Sequence, residues 1–170
     1  MGYGRTATSS EQTTLFVEEH STQRKRSSIP IYRVTLVREG KMPTYESRIR
    51  SSATAHTVLQ EYMDGADREM FVVMLLDRKN GVIGLNTVSV GSLSASVVHP
   101  RECFKPAILS NASSVILSHN HPSGDPLPSQ EDRMLTARLV QAGKVLGVEI
   151  LDHIIVGNGR YYSFADENML

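Results

Sequence analysis

Seven consecutive apolar residues, Met70-Phe71-Val72-Val73-Met74-Leu75-Leu76, constrain this chain most. An uninterrupted apolar run suits a strand buried on both faces, which belongs in a central, covered sheet. Asn80-Gly81 soon after it signals a tight hairpin that turns the chain back into a neighbouring strand. Before it, Ser51 and Ser52 can cap a helix that runs to about Met63, with Ala55, Leu59 and Tyr62 on one face and Asp64-Gly65 as its end.

The flanking segments extend this pattern. From Ile29, IPIYRVTLVRE alternates as a half-buried strand would and is expected to open the folded domain. Residues 82 to 98 read as one or two further strands broken near Gly91. Pro100 is placed as the first residue of a helix towards Asn111, which Pro106 should kink or shorten. A short buried strand follows at 115 to 117, then a helix from Ser129 to about Ala142 with Gly143 as its left-handed cap. Strands at 148 to 156 and 160 to 164 flank Gly157-Asn158-Gly159. Residues 1 to 28 are rich in Ser, Thr, Gln and Arg, and Leu15, Phe16 and Val17 are too few apolar groups to offset their ordering entropy. They read as a flexible polar tail whose basic run Gln23-Arg24-Lys25-Arg26 is solvated charge. The expectation is one mixed α/β domain over 29 to 170, a central sheet with about three helices.

Composition limits what such a domain does. At 170 residues and 40% hydrophobic content, the chain is long enough for one core and short for two, so its chemistry should converge on one site. Lys+Arg and Asp+Glu balance at 18 each, which leaves no bulk positive field, so nucleic-acid binding should be weak. Cys103, the one cysteine, excludes an internal disulfide and a Cys-rich zinc site and suits a reducing cytoplasm. No apolar stretch approaches the length of about 18 residues that a membrane helix needs, and the N-terminus lacks a signal-peptide pattern. A soluble protein with no membrane association is expected.

The most informative stretch is Ser118-His119-Asn120-His121-Pro122-Ser123-Gly124-Asp125-Pro126-Leu127-Pro128-Ser129-Gln130-Glu131-Asp132, which leaves a buried strand and enters a helix. Residues two apart in an extended segment project to one side, so His119 and His121 can present both imidazoles to one point while Asn120 faces away. A stiff loop with Gly124 and three prolines can return the chain so that Asp132, in the first helical turn, reaches the same point. Two imidazoles and a carboxylate leave a fourth tetrahedral position for water, which distinguishes a catalytic zinc site from a structural one. Ser129-x-x-Asp132 also fits a plain helix cap, so the metal reading rests on the whole string.

That string resembles the His-x-His, seven residues, Ser-x-x-Asp signature of the JAMM (MPN+) metallohydrolases, and HNHPSGDPxPS resembles their RadC-like branch. GVEILDHIIVG and PRECFKPAI are similar to that branch too, and the likeness spans about 30 to 165. The resemblance implies a JAB/MPN-like sheet with cytidine-deaminase-like layering. It implies Zn²⁺ on His119, His121 and Asp132, with Ser129 supporting the oxyanion or the metal-bound water. It also implies a glutamate general base on an earlier strand after the first helix, a place that Glu69 matches and for which Glu102 is the rival. Zinc lowers the pKa of bound water to about 7, and a peptide or isopeptide-linked protein is the implied substrate. The same chemistry could cleave other amides or deaminate a base.

Other residues have plainer readings. Asp152 and His153 could support the ligands, but alternation puts only one of them on the site face, and both are taken as structural. Asp125 is a turn residue. Cys103 is a buried helix residue. RadC-like proteins often carry an N-terminal region with helix-hairpin-helix character, where this chain has its polar tail, so no DNA-binding role is carried over. A DNA-repair-associated or nucleic-acid-processing role and a non-catalytic interaction module are the competing functions. His119-Asn120-His121 spells the name of a nuclease motif, but such nucleases spread those residues over a hairpin and a helix.

Overall fold

A computed structural model describes residues 27–91 and 98–170. Most of the expected polar tail, and the end of the expected strand region after Gly91, lie outside the described residues. Val34–Leu170 forms one compact unit, and residues 27–33, which belong to another, are exposed without helix or strand.

The compact unit runs α1 (Ser52–Met63), β1 (Met70–Leu76), β2 (Val82–Val90), α2 (Pro100–Leu109), β3 (Ser114–Asn120), α3 (Gln130–Leu146), β4 (Glu149–Val156) and β5 (Tyr161–Ser163). The sheet order is β2-β1-β3-β4-β5, with β3 and β4 parallel and the other pairs antiparallel. The parallel pair requires a crossover, and α3 supplies it. This is the mixed α/β architecture expected from the apolar run and the hairpin.

β1 explains the layering. Phe71, Val73 and Leu75 pack with Phe104 and Ala107 of α2 and Leu135 and Leu139 of α3. Val72, Met74 and Leu76 pack on the opposite face with Ala55, Val58, Leu59 and Met63 of α1. The alternating side chains of one apolar strand thus divide between two helical layers.

Three expectations need correction. Residues 29 to 37 form no strand: Ile31, Tyr32 and Val34 are largely exposed, and no described residue pairs with them. Their alternation lacks the ladder of backbone hydrogen bonds that makes a strand. α2 ends at Leu109 rather than Asn111, three residues after Pro106. α3 runs past Gly143 to Leu146, with Gly147 as its left-handed cap at φ 69°. Gly143 instead permits close packing, because a Cβ there would lie 2.6 Å from the Val148 carbonyl and 3.2 Å from the Phe104 ring.

Candidate metal centre

The site begins where β3 leaves the sheet. His119 pairs with Phe71 across β1, is fully buried, and stacks on that phenyl ring. His121 lies just beyond the strand, where its N–H donates to the Val156 carbonyl (2.9 Å) and its own carbonyl accepts from Gly124 N–H (2.9 Å). Gly124 sits at φ 80°, and a Cβ there would come within 3.0 Å of Asn158, so this turn requires glycine.

Asp132 arrives from the other side through the cap of α3. The Ser129 hydroxyl accepts from Asp132 N–H (3.1 Å) and donates to Asp132 Oδ2 (2.6 Å), while Ser129 N–H donates to the same oxygen (2.8 Å). Cap and candidate ligand are therefore one device: the capping box that starts the helix also aims the carboxylate.

The three residues converge. His119 Nε2 and His121 Nε2 are 3.1 Å apart, His119 Nε2 is 3.2 Å from Asp132 Oδ1, and His121 Nε2 is 3.7 Å from Asp132 Oδ2. Ligand bonds of about 2.0–2.1 Å around a tetrahedral ion place ligand atoms about 3.3 Å apart, close to this spacing. The donor set fits a cation chemically as well. His121 Nδ1 lies 2.7 Å from the Asp125 carbonyl, which can only accept, so Nδ1 carries the hydrogen and the neutral ring directs its Nε2 lone pair at the shared point. Among the described residues, His119, His121 and Asp132 form the group able to hold a metal ion.

The electrostatics agree. Burial would raise the Asp132 carboxyl, but hydrogen bonding with His119, His121 and Ser129 outweighs it and holds the group far below the usual carboxylate range. His121 is shifted upward, chiefly by its hydrogen bond with Asp132 against the opposing effect of burial, with help from the Asp125 carbonyl and from the charges of Asp132 and Glu69.

Glu69 is thus near enough for its charge to act on His121, and it lies two residues before Phe71, the partner of His119. Glu102 sits in the exposed first turn of α2, where Lys105 (2.6 Å) and Arg101 (3.4 Å) pair with it and hold its carboxyl below the ordinary value. Asp125 contributes its backbone carbonyl to His121, while its side chain accepts from Leu127 N–H. Cys103 is buried in α2, and burial first, then the charge of Glu102, pushes its thiol up to about 12.

Of the two residues read as structural, Asp152 keeps that reading and His153 does not. Asp152 is a buried structural acceptor, bonded by the Ser163 hydroxyl and by the N–H groups of His153 and Ala165. His153 is more than structural, because its Nε2 lies 2.9 Å from Nδ1 of His119. Asn120 does turn from the imidazoles, and its amide accepts from Met70 N–H (2.7 Å) and donates to the Arg68 carbonyl (3.1 Å), fixing the backbone on both sides of Glu69. Thr136, overlooked in the sequence, bonds His153 from α3 (2.6 Å). Its place four residues after Asp132, on the same helix face, was the available signal.

A layered α/β domain whose central strand delivers His-x-His, and whose next helix delivers aspartate from its cap, is a domain of the JAB type with a candidate metal site. The sequence model of the RadC-like JAB domain matches residues 49–169, and the chain belongs to that family. It is 50% identical over 123 residues to a UPF0758 protein of Methanosarcina mazei, covering 72% of this chain and 54% of that one. It is also 52% identical over 122 residues to a UPF0758 protein of Moorella thermoacetica, and 53% over 122 residues to one of Rubrobacter xylanophilus, each match covering 72% of this chain and 53% of the relative. The chain spans about half the length of the curated relatives it matches.

No helix among the described residues is long and apolar enough to cross a membrane.

Proposed function

We propose that this domain is a zinc-dependent hydrolase of the JAMM type that cleaves peptide or isopeptide bonds in protein substrates. The observation that carries the reading is the convergence of His119, His121 and Asp132 beside Glu69, whose flanking peptides Asn120 clamps. His119, His121 and Asp132 would hold the ion, which when bound supplies a Lewis acid and lowers the pKa of a nearby water to about 7. Glu69 then takes the proton of the attacking water and returns it to the leaving amine. Ser129 keeps the Asp132 carboxylate aimed, and its hydroxyl, turned from Asp132 to the substrate, would be a donor to the oxyanion. A cleft of about 340 Å³, bordered by Asp64, Ala66, His121, Ser123 and Asn158, offers an extended substrate a place beside His121. Its single, buried cysteine suits work in a reducing cytoplasm.

The test is cleavage by the zinc-loaded chain of a peptide library and an isopeptide-linked protein pair, beside duplex and single-stranded DNA. Amide products that disappear with Glu69→Gln and Asp132→Asn, and intact DNA, are expected. DNA cleavage that depends on Asp132 would replace this reading with a nucleic-acid-processing one. Zinc bound stoichiometrically with no turnover of any substrate would favour an interaction module.

A further inference from the structure

Behind the candidate ligands lies a second, fully buried layer of hydrogen bonds that runs from α3 through β4 to β3. The Thr136 hydroxyl is 2.6 Å from the Asp132 carbonyl and 2.6 Å from His153 Nδ1, and His153 Nε2 is 2.9 Å from His119 Nδ1. Thr136, His153 and His119 are each at most 1% exposed, so no solvent completes or reorders these contacts.

The donors can be assigned in one way only. A carbonyl cannot donate, so the single hydroxyl hydrogen of Thr136 goes to Asp132 O. The Thr136 oxygen must then accept, which places a hydrogen on His153 Nδ1. A neutral imidazole carries one hydrogen, and the fully buried His153 ring, whose two nitrogens meet the Thr136 hydroxyl and the His119 ring, has no carboxylate in hydrogen-bond contact to hold a second. His153 Nε2 is therefore an acceptor, and the hydrogen in that contact sits on His119 Nδ1. His119 is left with Nε2 facing His121 and Asp132.

We propose that Thr136 and His153 are positioning residues that fix the hydrogen of His119 on Nδ1 and so present its Nε2 lone pair to the cation. The Asp132 backbone carbonyl anchors this relay, so the helix turn that supplies one ligand also sets the tautomer of another. Register places the parts: His153 pairs with Leu117, two residues before His119, on the sheet face covered by α3. The rings of Phe71 and Phe164 pack against His153 and hold it edge-on and stacked, respectively. The inference rests on the metal reading for its purpose and on hydrogen-bond geometry and burial for the tautomers.

Two measurements test it. In ¹⁵N-histidine NMR of the chelator-treated chain, at a pH where the rings are neutral, His153 and His119 should both carry hydrogen on Nδ1. A His119 ring with its hydrogen on Nε2 would overturn the relay, whether or not the chain takes up zinc. Thr136→Val keeps the side-chain volume and removes the hydroxyl. It should weaken zinc binding about 10- to 100-fold in competition with a chelator, and shift His119 towards the Nε2-hydrogen form. Thr136→Ser should restore both. A folded Thr136→Val chain with native zinc affinity and native tautomers would refute the proposal. If the unaltered chain takes up no zinc while its tautomers are as stated, the metal reading fails and the relay stands.

Discussion

Ser129→Ala separates the two duties of the cap. The substitution removes the bond from Asp132 N–H to the hydroxyl (3.1 Å) and the bond from the hydroxyl to Asp132 Oδ2 (2.6 Å), and leaves the one from Ser129 N–H (2.8 Å). Loss of a serine cap costs about 1 kcal/mol. The second bond, to a carboxylate at a partly solvated position, adds about 1 kcal/mol more after discounting for solvent. A chain of this size loses roughly 2–4 °C of Tm per kcal/mol, so calorimetry should show a fall of about 4–8 °C. Zinc affinity should drop by about 10-fold, because the carboxylate keeps one of its two bonds from Ser129. Ser129→Thr should recover most of both. An unchanged Tm and zinc affinity would show that the hydroxyl does not hold Asp132. Native values for both with collapsed turnover would assign it to the oxyanion instead.

Glu69→Gln should leave zinc in place and lower turnover of a cleaved substrate about 10²- to 10⁴-fold, whereas Glu102→Gln should alter neither. The reverse pattern in a kinetic assay would move the general base to Glu102. The stability of the chelator-treated chain should depend on pH in two senses. Asp132 is shifted down, so its contribution is present above the ordinary 3.8 and lost as pH falls below it. His121 is shifted up, so its contribution is present below the ordinary 6.5 and lost as pH rises through the raised value. Melting curves should therefore show this pair stabilising most between those limits, and a loss of stability on entering that window from either side would contradict the assignment. Duplex DNA binding by the chain after residue 28 should be weak and fall steeply with salt, given the balanced charge. Tight, sequence-selective binding in a salt titration would refute that.

Much of this structure is legible in the sequence. The apolar run became β1, Asn80-Gly81 became the turn into β2, and Ser51 became the cap of α1. Local chemistry sufficed there, because a buried strand, a left-handed turn residue at φ 58° and a capping serine each act within a few residues. The convergence of His119, His121 and Asp132 was legible because two of them lie two apart and the third opens a helix. What escaped depends on distant partners. Alternation at 29 to 37 carries no information about whether a neighbouring strand exists. Gly143 and Gly147 both fit the end of a helix, and only the packing of Phe104 and Val148 against Gly143 tells them apart. His153 needs the β3–β4 register to show that it meets His119, 34 residues earlier.

The account stands or falls on whether His119, His121 and Asp132 together hold one ion. Elemental analysis of the purified chain, beside His121→Ala and Asp132→Asn shown to be folded by their melting curves, measures this directly. About one zinc per chain is predicted for the unaltered protein, with most of it lost in each variant. Full zinc occupancy in both variants would place the ligands elsewhere and contradict the central claim.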